Sequence, residues 1–285
     1  MNFIRQLVVF FIYSNLFIAT CAIVMVNQTC RLLLHAAPDN HFLGFVFSST
    51  ICSYSFHWYL TTLPRKSSPR IEWLKEYRVF HLAFFFAGLI AAVYFFYFFI
   101  DSWYWIFLSV LFTFLYSAPK IPHPLFRVLL NVAIGKTLFL AFVWTYVTSV
   151  LPFLLASGDP IAIGWTMQSI LFFISRFFFI YAICILFDYR DRESDRAEGI
   201  RSMITYFSEA GVDRLFFLSL LLYTVSTIFL LRHDFSLLHV IMLLIPGVIT
   251  ALIYDYSKKN FSDVLYYFVL DGLMILSALL MLVFK

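Results

Sequence analysis

Three aspartates offer the clearest chemistry in this sequence. Asp188, Asp191 and Asp195 lie in the stretch Phe187 to Arg201, spaced i, i+3 and i+7. On a helix that spacing puts them within a sector of about 60° along about 10 Å of axis. Arg190, Arg192 and Arg196 fall largely on other faces, and Gly199 offers a natural stop. Carboxylates stacked on one face repel by roughly a few tenths of a kcal/mol per pair in water, and by more beside a low-dielectric phase. A divalent cation removes that repulsion. Mg2+ takes one or two carboxylates and completes its octahedron with water and phosphate oxygens. The cluster therefore points to a Mg2+–diphosphate site. A solvated helix end with weak intrahelical Asp–Arg pairs suits the spacing equally well.

The elements that must position these residues are apolar. Of 285 residues, 62% are hydrophobic and only 13% charged, about half the charged share of an ordinary soluble domain. Aromatic residues make up 21%, with 37 Phe and 17 Tyr. A soluble fold of this length cannot hide so much apolar side chain. Disorder, a coiled coil, a disulfide scaffold and a collagen-like chain are excluded by the same composition. The expected protein is integral to a membrane and multi-pass, a single all-α domain over 1–285.

A membrane helix needs about 20 mostly apolar residues. Nine candidate spans follow, at 4–26, 41–62, 79–100, 102–118, 126–150, 164–187, 212–231, 236–256 and 265–284. The third and fourth are separated only by Asp101-Ser102, which requires a tight turn. With the N-terminus inside, fifteen of the 20 Lys and Arg fall on the inner side and three on the outer, with Lys136 and Arg176 within spans. That asymmetry orients the N-terminus and the acidic cluster towards the cytosol, with a bacterial inner membrane as the expected setting. The inner connections 63–78 and 188–211 are the longest and most charged, and form the expected cap. The net charge of +4 reflects this orientation rather than a nucleic-acid partner. Cys21, Cys30, Cys52 and Cys184 lack metal spacing and read as small apolar thiols, with Cys30 alone in a loop.

The segment Asp188 to Arg201, DYRDRESDRAEGIR, resembles the second aspartate motif of the UbiA-type intramembrane prenyltransferases, approximately N-D-x-x-D-x-x-x-D-R-x-x-G-x-x-T. Asp188, Asp191, Asp195, Arg196 and Gly199 match; Phe187 replaces the usual Asn, and Ser202 stands where Thr is common. Nine spans with cytosolic acidic loops are similar to that superfamily. The resemblance implies nine helices around a central cavity, and transfer of an isoprenyl group from its diphosphate to an aromatic or lipid acceptor. It implies Mg2+ as cofactor, with Asp191 and Asp195 holding the metal and Asp188 supporting it, all three in the catalytic site. Tyr116-Ser117-Ala118-Pro119-Lys120 is similar to a family loop carrying Tyr-Ser and a nearby base.

The chain departs from the family at the first aspartate motif, expected at the end of the second span. That region reads Cys52 to Arg65 without a carboxylate, and no Asp or Glu occurs between Asp39 and Glu72. One explanation keeps an enzyme in which His57, Ser55 and the basic run Arg65, Lys66 and Arg70 share the diphosphate charge, with Lys120 and Arg127 on the same side. The other is a non-catalytic isoprenoid- or quinone-binding protein of the same fold. Lys136, Arg176 and Asp271 lie inside spans, where each charge costs about 2.5–3.5 kcal/mol on insertion scales. They are expected either to line the cavity, as His57 could, or to pair internally, Asp271 with Lys136 or Arg176. A transporter using these three as a polar path is a further alternative.

Overall fold

The computed structural model describes residues 3–60, 68–117, 136–156, 165–197 and 202–284, and no strand occurs among them. Among the described residues six helical segments are long and apolar enough to cross a membrane: Leu16–Leu33, Arg78–Ser117, Thr137–Ala156, Met167–Glu193, Glu209–Arg232 and Leu265–Val283. Two shorter apolar helices, Phe3–Tyr13 and Leu237–Leu252, accompany them. Val79, Ile90, Val93, Tyr94 and Tyr97 are all more than 60% exposed, an apolar exterior that calls for a lipid solvent. The protein is thus all-α and membrane-like.

In chain order the helices are α1 (Phe3–Tyr13), α2 (Leu16–Leu33), α3 (Asn40–Leu60), α4 (Pro69–Glu76), α5 (Arg78–Phe96) and α6 (Trp103–Ser117). Then follow α7 (Lys136–Thr145), α8 (Leu151–Ala156), α9 (Met167–Ala197), α10 (Met203–Tyr206), α11 (Glu209–Phe229), α12 (Leu237–Leu252), α13 (Tyr254–Lys259) and α14 (Asp271–Val283).

The apolar run expected as one span at 4–26 is broken. Asn15 adopts a left-handed backbone, φ 69°, between α1 and α2, a conformation asparagine tolerates better than branched residues. Its side chain makes the break useful. Nδ2 donates to Ser55 Oγ at 3.4 Å, and Oδ1 accepts from Arg70 Nη2 at 3.0 Å. Helix α2 then continues to Leu33 and buries Cys30, which the sequence assigned to a loop. It continues because its polar residues find partners in the bundle. Thr29 Oγ1 donates at 2.8 Å to the carbonyl of Thr148, inside the π turn Tyr146–Val150.

Helices α5 and α6 are joined by the 3-10 turn Tyr97–Ser102, with Phe99 outside helical geometry. His41 stacks on Phe98 at 3.9 Å near one end of α3, and His57 on Tyr116 at 5.3 Å near the other. The chain therefore reverses here, as the tight turn required. Gly88 lets α5 approach α3 closely: a Cβ there would lie 2.8 Å from both the Cys52 amide nitrogen and the Ser48 carbonyl oxygen. Backbone atoms cannot yield as side chains do. Gly88→Ala is expected to destabilise the fold by about 1–3 kcal/mol, read as a lowered thermal midpoint in detergent.

Candidate functional site

A cavity of about 2090 Å³ opens under the acidic end of α9, against about 300–1,000 Å³ for an ordinary small-molecule pocket. Its apolar part is walled by Phe45, Phe85, Phe96, Ile106, Phe139 and Trp144, drawn from α3, α5, α6 and α7. Among the described residues its polar part holds seven carboxylates, Asp188, Asp191, Glu193, Asp195, Glu209, Asp263 and Asp271, and four guanidiniums, Arg70, Arg190, Arg192 and Arg196.

Helix α9 runs 31 residues without a break and carries the aspartates on its last turns. Asp188 and Asp195 are buried. Thr137, on α7, donates its hydroxyl to Asp188 Oδ2. Asp191 Oδ1 accepts from Arg190 Nε at 2.9 Å. The other arginines fasten the helix end. Arg192 binds Glu209 and the carbonyl of Phe207, and Arg196 Nη2 donates to the carbonyl of Thr205 at 2.8 Å. Glu209 sits in the first turn of α11, whose N-cap Ser208 accepts from the Gly211 amide, so its charge suits the helix dipole. Lys258 closes the clamp at 2.7 Å from Asp213 and 3.2 Å from Glu209. Burial alone would lower the Lys258 ammonium, but these two carboxylates hold it above its ordinary value.

Arg70 enters the site from α4. Ser68 caps α4, accepting from the Ile71 amide at 3.3 Å, and Pro69 occupies the first turn, a pairing suited to helix starts. Arg70 is therefore held at the start of α4, where its own amide donates to Asp263 Oδ2 at 2.8 Å. Its guanidinium is packed between the rings of Trp58 (4.2 Å) and Tyr267 (3.9 Å). Burial pulls this guanidinium below the ordinary arginine value, against the opposing pull of Tyr267, Asp271 and Asp263. Arg190 reaches the same residue, donating from Nη2 to the Tyr267 hydroxyl at 2.6 Å. Tyr267 thus links two guanidiniums, one of which holds Asp191.

Asp188, Asp191, Asp195, His57 and Asp271 line one cavity. Arg176 does not join them. It is buried elsewhere, donating to Gln28 Oε1 at 2.8 Å and lying 5.1 Å over the Phe172 ring. The expected Asp271–Arg176 pair therefore does not form, because Gln28 of α2 supplies the polar partner. Arg65, Lys66, Lys120 and Arg127, and the side chain of Lys136, lie outside the described residues. Sequence reasoning missed Trp58, Asp263 and Tyr267. A sequence signal that could have led towards Arg70 is the Ser68-Pro69 pair, a helix-start pattern directly before it.

The donor set suits a hard cation in part. Among the described residues no three His, Cys, Asp or Glu side chains form a metal cage. Buried carboxylates on a cavity wall, one of them oriented by Thr137, are oxygen donors of the kind Mg2+ uses when water and substrate phosphate complete its shell. No family model, curated protein or solved structure matches the chain.

Proposed function

We propose that this protein is a UbiA-like prenyltransferase of the cytosolic membrane face. One observation carries the reading: the acidic end of α9 and a ring-walled apolar space belong to the same cavity. A polar rim above an apolar hollow fits a ligand with a diphosphate head and an isoprenoid tail. Asp191 and Asp195 would hold Mg2+, with Asp188 in support. Bound there, the ion supplies neutralisation of the charge growing on the departing diphosphate. Arg70 and Arg190 face that same group as hydrogen-bond donors, and Arg is well suited to phosphate oxygens. The aromatic walls exclude water and offer π faces to a cationic chain. The distribution of Lys and Arg supports a cytosolic N-terminus and acidic motif.

A second reading has its own support. The end of α3 offers His57 and Trp58 to the cavity where the family carries carboxylates, which favours a protein that holds an isoprenoid or quinone without turning it over. A transport path has less support, because Arg176 lies away from the cavity that Asp271 lines. Incubation with radiolabelled farnesyl diphosphate, Mg2+ and a panel of phenolic and quinol acceptors separates the first two. Mg2+-dependent labelling of an acceptor supports the enzyme. Tight binding with no labelled product and no diphosphate release supports the binding protein.

A further inference from the structure

Asp271 opens α14 directly after the π turn Leu265–Leu270, a distortion frequently found at functional sites. Its side chain lines the cavity, yet the residue is only 9% exposed. Cys21 Sγ approaches its backbone oxygen at 3.7 Å. Among the described residues nothing donates to its carboxylate or pairs with it, and Arg70 and Arg190 are the cations near enough to act on it. A buried carboxylate without a partner is costly, so its persistence points to a ligand.

Its depth says which part of a ligand. Tyr267 lies four residues earlier and binds Arg190, which binds Asp191. Four residues of helix advance about 6 Å. Asp271 therefore sits about one turn further from the acidic rim, in the cavity lining that also includes Tyr54 and Cys184. That is the junction between the anion-binding end and the apolar hollow. Resting on the prenyltransferase reading, we propose that Asp271 is a catalytic residue that stabilises the positive charge developing on the allylic end of the chain. In that step the bond between C1 and the diphosphate oxygen breaks and its electron pair leaves with the diphosphate. The cation is shared by C1 and C3. With no other acceptor present, water adds to it and releases a proton to solvent.

The test uses the full chain in detergent with farnesyl diphosphate and Mg2+. Release of inorganic diphosphate is followed, and binding of the uncleavable farnesyl thiolodiphosphate is measured separately. Asp271→Asn is expected to lower kcat for release by about 100- to 1,000-fold while analogue binding is retained. Asp271→Ser, a second neutral variant, decides the matter if the first does not fold. Asp271→Glu is expected to restore part of the rate. Release at the wild-type rate in a neutral variant overturns the proposal. So does a matching loss of analogue binding, which would mark a structural residue. Wild-type protein that binds the analogue but releases no diphosphate overturns the catalytic role alone. Wild-type protein that does not bind it in Mg2+ overturns the prenyltransferase reading as well.

Discussion

Replacing Asp191 and Asp195 together with alanine is expected to remove Mg2+-dependent binding of farnesyl diphosphate, weakening it at least about 100-fold, or about 2.8 kcal/mol. The size follows from the division of labour on the helix end. The motif arginines 192 and 196 are occupied with Glu209 and with the carbonyls of Phe207 and Thr205, so they hold the helix in place whether or not a metal is bound. Asp191 pairs instead with Arg190 of its own helix. Losing Asp191 also frees Arg190 from its 2.9 Å ion pair. The weak binding that remains is therefore expected to be independent of Mg2+, as a guanidinium meets the phosphate directly. Titration of the double variant with and without chelator, alongside its elution profile in detergent, checks both halves of this expectation. Unaltered Mg2+-dependent binding in the variant would remove the acidic motif from the account.

Arg70 carries the second large effect. Its side chain is 4% exposed as a residue, stacks between two rings and bonds to Asn15. Arg70→Ala is expected to cost about 2–4 kcal/mol of stability, through lost packing and an orphaned Asn15 oxygen. It should also weaken farnesyl diphosphate binding by about 10- to 100-fold, or about 1.4–2.8 kcal/mol. Arg70→Lys separates the two effects. It keeps the charge but loses the planar fork that both stacks and donates in pairs. For the lysine variant the thermal midpoint is expected to remain below wild type and the Kd above it. A lysine variant with wild-type affinity would mean that Arg70 acts as a point charge alone.

Much of the site was legible because it is local. Asp188, Asp191 and Asp195 share one continuous helix, so spacing alone placed them together, and the apolar composition implied the helices around them. What spacing could not show was long-range. Arg70 meets Tyr267 and Asp263 across almost two hundred residues, and Thr137 meets Asp188 from another helix. The partner of Asn15 was equally hidden, since it is a guanidinium 55 residues away. Arg176 shows the same limit in reverse. An intramembrane cation invites a carboxylate partner, yet here an amide and an aromatic ring surround it. Hydropathy likewise could not place the break in the first apolar run, because a left-handed asparagine alters the backbone without altering the average.

The central claim is that one cavity takes a diphosphate at its acidic rim and an isoprenoid in its apolar hollow. Equilibrium binding to the purified wild-type chain in detergent tests it most directly, comparing inorganic diphosphate, farnesol and farnesyl diphosphate, each with Mg2+ and with chelator. Farnesyl diphosphate with Mg2+ is expected to bind at least about tenfold tighter than either half alone, a gain of about 1.4 kcal/mol, and to lose that gain in chelator. Equal binding of farnesol and farnesyl diphosphate, indifferent to Mg2+, would contradict the claim and leave a cavity that holds only the chain.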